Sequence, residues 1–304
     1  MNGRTQKDPF SGFRSGFAAI AGAPNVGKST LLNRLIGEKI SIISSKPQTT
    51  RNRIMGVMHG ENHQIVFLDT PGVHESEKTF NRKIVQVELT AIDEVDLVLV
   101  VIDASSPEDR SESMIIEKLK KRPKTPAVLA INKIDRVEKT KLLKIIDKWS
   151  DIGIPFADIV PISALLGTQV PHLAESMVKL LPEGPPFFPE DALTDMPERF
   201  IVCEMIREKI FENTGQEVPY GTAVTIEDFS EDAGIIRIHA AIHVERDSQK
   251  GIIIGKNGAM LKTIGTQARM DIEHLLGAKV FLKLFVRVEK NWSRDPRAIR
   301  KLGY

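Results

Sequence analysis

The run Gly22-Ala23-Pro24-Asn25-Val26-Gly27-Lys28-Ser29 limits what this chain can fold into more than any other feature, because it stands between an apolar run, FAAIAGA, and an amphipathic one, STLLNRLIG. A G-x-x-x-x-G-K-[ST] loop in that setting joins a buried strand to a helix, and its glycines let successive N–H groups and the helix N-terminus face phosphate oxygens. Lys28 supplies a point charge to the β- and γ-phosphates, and the Ser29 hydroxyl, next to Thr30, is placed for Mg²⁺. The rest of the first half agrees with this start. QIVFLD (64 to 69), DLVLVVID (96 to 103), TPAVLAIN (125 to 132) and IVPIS (159 to 163) read as further buried strands. STLLNRLIG, FNRKIVQVELTAID, ESMIIEKLKKR, KTKLLKIIDKWS and VPHLAESMVKLL carry apolar residues at helical spacing. The alternation predicts an α/β fold, a doubly wound, mainly parallel sheet with helices on both faces.

The base reader decides which nucleotide such a loop serves. Asn132-Lys133-Ile134-Asp135 follows TPAVLAIN at the carboxyl edge where ligands bind in these sheets. An ionised Asp135 accepts only, which suits the adjacent ring N1–H and exocyclic amine of guanine and leaves adenine mismatched. Asn132 is placed to bridge base and phosphate loop, and the Lys133 stem to cover one ring face. Asp69-Thr70-Pro71-Gly72 closes QIVFLD, with the Asp69 carboxylate directed at Mg²⁺ and the Gly72 N–H at the γ-phosphate. The polar segment ISIISSKPQTTRNR offers Thr50, with Thr49 beside it, as a metal-binding hydroxyl ordered by the γ-phosphate. Ser163-Ala164-Leu165 follows the last strand, where its N–H groups would close over guanine.

The second half changes character after LPEGPPFFPEDALTDMP, whose prolines at 182, 185, 186, 189 and 197 resist both helix and central strand. The expected organisation is a tail over 1–15, a nucleotide-binding domain over 16–182, a proline-rich linker over 183–197 and a smaller α+β domain over 198–304, in the order α-β-β-α-α-β-α. Charge separates along this half: residues 198–245 hold 4 Lys+Arg against 10 Asp+Glu, and residues 246–304 hold 13 against 5. A basic segment of that kind fits nucleic acid. Within it, Ile254-Gly255-Lys256-Asn257-Gly258 lies between two helical stretches, and a GxxG turn so placed is the device that clamps about four nucleotides in KH domains. The ending NWSRDPRAIRKLGY sets Trp292, Arg294 and Arg297 on a short helix. Trp292 fits two roles, stacking on a base or anchoring that helix to the core. His239 and His243 share a strand face and read as sheet surface, and the single Cys203 reads as core packing.

Phosphate loop, switch threonine, D-x-x-G, N-K-x-D and S-A-L in this order resemble a translation-factor-class GTPase over about residues 16 to 182. One position departs from the Ras-like pattern: Val73 follows Gly72 where a water-orienting glutamine is usual. Hydrolysis then needs another route. Asn25 resembles the asparagine with which relatives hold K⁺ beside the phosphates, although a loop-stabilising asparagine fits the position equally well. The roles this implies are catalytic for Lys28, Asn25, Thr50 and Gly72, and metal-binding for Ser29, Thr50 and Asp69.

With a C-terminal type II KH domain added, and with QTTR, DTPG and IIGKNG in place, the chain from 16 to 304 is similar to the bacterial Era family. The resemblance implies a slow GTPase using GTP, Mg²⁺ and K⁺. It also implies binding to the 3′ end of 16S ribosomal RNA, a part in 30S assembly, and peripheral association with the inner membrane by a monomer. No apolar run reaches the roughly 18 to 20 residues that span a bilayer, and MNGRTQKDPF lacks the apolar stretch of a signal peptide, so the expected compartment is the cytoplasm. A constitutive RNA-binding protein with a purely structural GTP site is the alternative, disfavoured by switch-like residues at 40–51 and 69–90.

Overall fold

The computed structural model describes residues 10–43, 54–69, 92–106, 110–215, 218–232 and 234–302. The switch residues Thr49 and Thr50, the run Thr70 to Val73, and most of the helix expected from FNRKIVQVELTAID lie outside those residues. Contacts divide the described chain into two units, one running to Ile40 and from Ile54 to Asp195, the other holding Ser41–Ile43 and everything from Met196.

The first unit is built on six strands: β1 (Arg14–Ala21), β2 (Ile54–Gly60), β3 (His63–Asp69), β4 (Leu97–Asp103), β5 (Ala127–Asn132) and β6 (Asp158–Pro161). They lie in the order β2-β3-β1-β4-β5-β6, with β2 antiparallel to β3 and the other pairings parallel. Strands covered on both faces read as continuous apolar runs, and β4 and β5 do: Leu97 to Val101 and Ala127 to Ile131 are buried throughout. The helices are α1 (Lys28–Ile36), α2 (Arg110–Lys120), α3 (Lys139–Ser150) and α4 (Val170–Val178). Ile115 and Leu119 of α2 and Trp149 of α3 share one core with Ala19, Val100 and Leu129. α1 and α4 touch each other and the sheet. Because β1 lies between β3 and β4, the strand order reverses there, and the crevice for a ligand opens at its carboxyl end.

Two features differ from the sequence expectation. The edge strand β2 had no expected counterpart, since IMGVMHG carries two glycines and follows a polar segment. The segment expected as a linker lies along the sheet as part of the first unit. Gln64 accepts at Oε1 from the N–H groups of Phe187 (2.7 Å) and Phe188 (3.0 Å) and donates to the Phe188 carbonyl at 2.8 Å. The Val57 N–H donates to Leu193, and His59 Nε2 lies 2.7 Å from the Ala192 carbonyl. Prolines suit this position, because an edge segment does not need every N–H.

The second unit has three strands, β7 (Ala223–Asp232), β8 (Ile235–Val244) and β9 (Lys279–Val288), in that order. Its helices are α5 (Glu198–Asn213), α6 (Asp247–Ile254), α7 (Ala259–Leu276) and α8 (Pro296–Lys301). β7 and β8 form an antiparallel hairpin, while β8 and β9 are parallel. A parallel pair needs a long crossover, and α6 and α7 supply it. The order is the α-β-β-α-α-β-α expected from periodicity. On α5, Arg207 is fully buried, held by Glu204 through two bonds of 2.8 and 2.6 Å and lying 5.3 Å from the Phe211 ring centre. Burial pushes the Cys203 thiol up to about 12, so it is a packing group and not a reactive one.

His243 corrects the surface reading. It is 5% exposed, bonded to Thr225 Oγ1 at 2.8 Å, with Glu289 3.5 Å from its Nδ1. Alternation put it on the right face, but the C-terminal segment then covers that end of the sheet: Trp292 and Leu302 pack there on Ala223, the β7 partner of His243.

Candidate functional site

The phosphate loop leaves β1 at Gly22 and enters α1 at Lys28. Gly27 is the helix N-cap with φ of +101°, a left-handed value that a Cβ makes costly, and a Cβ there would also run into the Asn132 amide. No side chain caps the helix and no acidic residue stands in its first turn, so the helix itself carries no charge that offsets the positive end of the α1 dipole. An anion suits that end. Lys28 is 7% exposed, and its ammonium donates to the Gly22 and Ala23 carbonyls at 2.5 and 3.1 Å. Ser29 lies in the first turn, while Asp69 ends β3 directly beside Ile20 of β1. A hydroxyl and a carboxylate are the kinds of oxygen ligand a hard cation such as Mg²⁺ takes, so the residue types at these two positions fit that ion.

Asn132 ties the site together. Its Nδ2 donates to the Val26 carbonyl at 2.7 Å, and its Oδ1 accepts from the N–H groups of Lys133 (2.8 Å) and Ala164 (2.9 Å). The phosphate loop, the N-K-x-D turn and the S-A-L loop therefore meet at one buried amide. Lys133 has a left-handed φ of +64°, and its ammonium bridges the Asn25 carbonyl (2.6 Å) and Asp103 Oδ2 (2.6 Å). The lysine side chain is thereby held between the phosphate loop and the end of β4. Asp135 lies in the 3₁₀ turn Ile134–Arg136, its carboxylate partly exposed and 3.9 Å from Arg136. In the loop after β6 the N–H groups of Ser163, Ala164 and Leu166 are used by Thr168, Asn132 and the Ser163 hydroxyl. Among the described residues nothing accepts from the Leu165 N–H.

Two residues of this site were absent from the sequence reading. Asp103 ends β4 in register with Asn132 and accepts from Lys133 and from both the N–H and hydroxyl of Ser105. Burial works against its charge, but the bonds from Lys133 and Ser105 outweigh that and hold its carboxyl below the usual range. Arg34, in the last turn of α1, donates to the Leu165 carbonyl at 2.5 Å and the Ala164 carbonyl at 3.3 Å. An Asp at the carboxyl end of a buried strand was the available signal for the first. For Arg34 nothing local distinguishes it from a solvated helix cation.

In the second unit the GxxG turn lies between α6 and α7. Gly255 (φ +70°), Asn257 (+54°) and Gly258 (+77°) all have positive φ, and a Cβ on Gly255 would stand 2.6 Å from that of Met260. The turn is thus drawn tight, with Lys256 and Asn257 exposed at its tip. Ile253 and Ile264 are wholly buried, leaving Ile254, Met260 and Leu261 partly open beside the turn. Trp292 takes the anchoring role of the two considered: it is 4% exposed and donates from Nε1 to the Gly221 carbonyl at 3.0 Å, so no ring face is open to a base. Arg294 sits in the same 3₁₀ turn, and Arg297 is exposed in the first turn of α8.

Comparison with known proteins agrees with both halves. Residues 17–133 match the family model described as a 50S ribosome-binding GTPase, and residues 217–293 match that of the KH domain. The GTPase Era of Geobacter metallireducens is 56% identical over 294 residues, covering 96% of this chain and 98% of its own. That of Geotalea uraniireducens is 54% identical over 293 residues, covering 96% and 98%. Two solved structures superpose with a TM-score of 0.90 at 41% identity, each covering 96% of this chain and 99% of the other. One is a point variant of Aquifex aeolicus Era bound to GDP and AlF₄⁻. The second is Era in complex with MgGDPNP and nucleotides 1506–1542 of 16S ribosomal RNA.

Proposed function

This chain belongs to the Era family of GTPases, and we propose on that premise that it is a nucleotide-governed switch that binds the 3′ end of 16S ribosomal RNA and assists 30S assembly. As a GTPase it converts GTP to GDP and phosphate. The observation that carries the RNA reading is the 41% identical relative holding MgGDPNP and 16S nucleotides 1506–1542 together, set beside the exposed Lys256–Asn257 tip of this chain's own GxxG turn.

In the nucleotide site Asp135 accepts from the guanine edge, Lys133 covers the ring, and the α1 N-terminus with Lys28 binds the phosphates. Ser29 and Thr50, with Asp69 acting through water, would hold Mg²⁺, which when bound would supply charge neutralisation at the β- and γ-phosphates. The Gly72 N–H meets the γ-phosphate. Val73 has no polar side-chain group to orient water, and in this reading Asn25, which is exposed with φ of +62°, would hold K⁺ where the ion stands in for an arginine finger. In the second unit, GxxG takes the RNA backbone, with Arg294 and Arg297 adding charge.

Among the described residues no helix is long and apolar enough to cross a membrane. Our reading is a cytoplasmic monomer whose basic C-terminal segment makes any contact with the anionic inner-membrane surface.

The test is RNA affinity for the 3′-terminal 16S segment in the GTP-analogue, GDP and nucleotide-free states. A switch requires these affinities to differ. Equal affinity in all three states would leave the alternative, an RNA-binding protein whose nucleotide is structural.

A further inference from the structure

The sheet of the second unit has a face turned away from α5, α6 and α7. Side chains alternate along a strand, and the parallel register sets Arg237 beside Phe281, His239 beside Lys283 and Ala241 beside Phe285, so these project together. The opposite face is the one the helices cover: Ile238, Ala240 and Ile242 are wholly buried, and Gly265 of α7 approaches Leu284.

On the open face Phe281 is 48% exposed. The Arg237 guanidinium lies 5.9 Å from the Phe281 ring centre, and the Lys283 ammonium lies 5.0 Å from that of Phe285. The His239 ring meets both phenylalanines edge-on, at 6.4 and 6.3 Å. Carboxylates gather on the β7 side, where Glu227 pairs with Arg287 and Asp232 lies 3.5 Å from Arg237. Among the described residues none pairs with Lys283, at the centre of the patch. The arrangement is one exposed ring, Phe281, and one part-buried ring, Phe285, each beside a cation, with Glu227 and Asp232 on the β7 flank and Glu289 beyond Phe285, beside His243.

We propose that this face is a second RNA surface, a stacking platform for single-stranded bases on Phe281 and Phe285, with Lys283 and Arg237 meeting the phosphates. Base–aromatic stacking with interleaved cations is how single strands are held without base-edge readout. A protein partner fits less well, because the cores of protein interfaces are depleted in lysine. β9 is the edge strand on the side where α6 and α7, which flank GxxG, pack, so a strand leaving the clamp meets that edge first. Glu227 and Asp232 disfavour a path on the β7 side. The inference rests on the reading of this unit as RNA-binding and lengthens its footprint beyond the clamp.

The experiment compares two RNAs cut from the 3′ end of 16S ribosomal RNA, one of about four nucleotides, the reach of the clamp, and one of about sixteen. Each is titrated against the wild type, Phe281→Ala/Phe285→Ala, Lys283→Glu, and the clamp variant Lys256→Asp/Asn257→Asp. Phe281 is exposed and Phe285 part-buried, so Phe281→Ala alone, which should keep the wild-type melting temperature, is titrated beside the double variant, and GTP affinity should be unchanged throughout. The double alanine variant should bind the long RNA about tenfold or more weakly, as expected from losing stacked bases, and the short one unchanged. Lys283→Glu should flatten the log K against log salt slope for the long RNA by about 0.7. Long-RNA affinity unchanged in both sheet variants, with the clamp variant losing both RNAs, would remove the platform and keep the clamp. A wild type that binds neither RNA would remove both, and sheet variants that lose only a ribosomal protein would make the face a protein site.

Discussion

Asn132 and Ala164, 32 residues apart, are joined by a 2.9 Å bond from the Ala164 N–H to Oδ1, while Nδ2 of the same amide donates to Val26. The residue is 2% exposed, so the loop behind the base and the loop around the phosphates share a single desolvated amide. Truncating it strands a buried carbonyl and a buried N–H. At about 1 kcal/mol per lost bond, with more for each orphaned group, Asn132→Ala should destabilise the nucleotide-free protein by about 2 to 4 kcal/mol in urea melts. It should weaken GTP and GDP alike. Wild-type stability with full nucleotide affinity would show the bridge to be incidental.

Asp135→Asn should exchange guanine for xanthine preference, since the 2-position of xanthine is an acceptor that matches an amide donor. Competition of GTP and XTP for each protein measures it. The parent chain should bind GTP far above ATP, and equal affinities would end the assignment of Asp135 as base reader.

The bridge from Lys133 to Asp103 and the Asn25 carbonyl fixes the lysine side chain that the proposed function lays over the base. Asp103→Ala removes a partly buried, charge-assisted bond, a loss of about 1.5 to 3 kcal/mol when such a partner is missing. GDP release should quicken by about tenfold or more, with guanine still preferred over adenine. Stopped-flow release of a labelled GDP gives both quantities, and an unchanged release rate would mean that Lys133 is positioned by the backbone alone.

Hydrolysis should be slow, need Mg²⁺, and run faster in K⁺ than in Na⁺. Asn25→Ala should erase the difference between the two ions, while Val73→Ala should leave it. A rate indifferent to K⁺ would return Asn25 to a loop-stabilising role.

His243 gives the second unit an acid sensitivity. Burial lowers its pKa, with Glu289 opposing that and Arg287 adding to it, so below the ordinary value of about 6.5 the unfolded chain binds a proton that the folded one resists. Its contribution is intact above that value and is lost as pH falls below it. Melting temperature should drop between pH 7.5 and 5.5, and less steeply in His243→Gln. Parallel slopes for the two proteins would assign the drop to other groups.

The strand-loop-helix at Gly22–Ser29, the N-K-x-D turn after β5 and the GxxG turn between two helices are legible in the sequence because each is local. Their residue types, dihedral angles and periodicities are set within one turn or strand, and the sequence reports those directly, while the bonds from Asn132 to Val26 and Ala164 and from Lys133 to Asn25 are not local. What side chains touch across the chain was decided by tertiary packing. Arg34 meets Leu165 at a separation of 131 residues, and Gln64 meets Phe188 at 124, turning a proline-rich stretch into part of the sheet edge. Trp292 has the composition of a base-stacking residue, yet Gly221 and Ala223, about seventy positions earlier, enclose its ring. His243 follows the same rule, its face set by alternation and its burial by the C-terminal segment. Local sequence determines which backbone shapes are cheap. Burial depends on which distant segments the closed chain brings alongside, and no short window of sequence contains that partner.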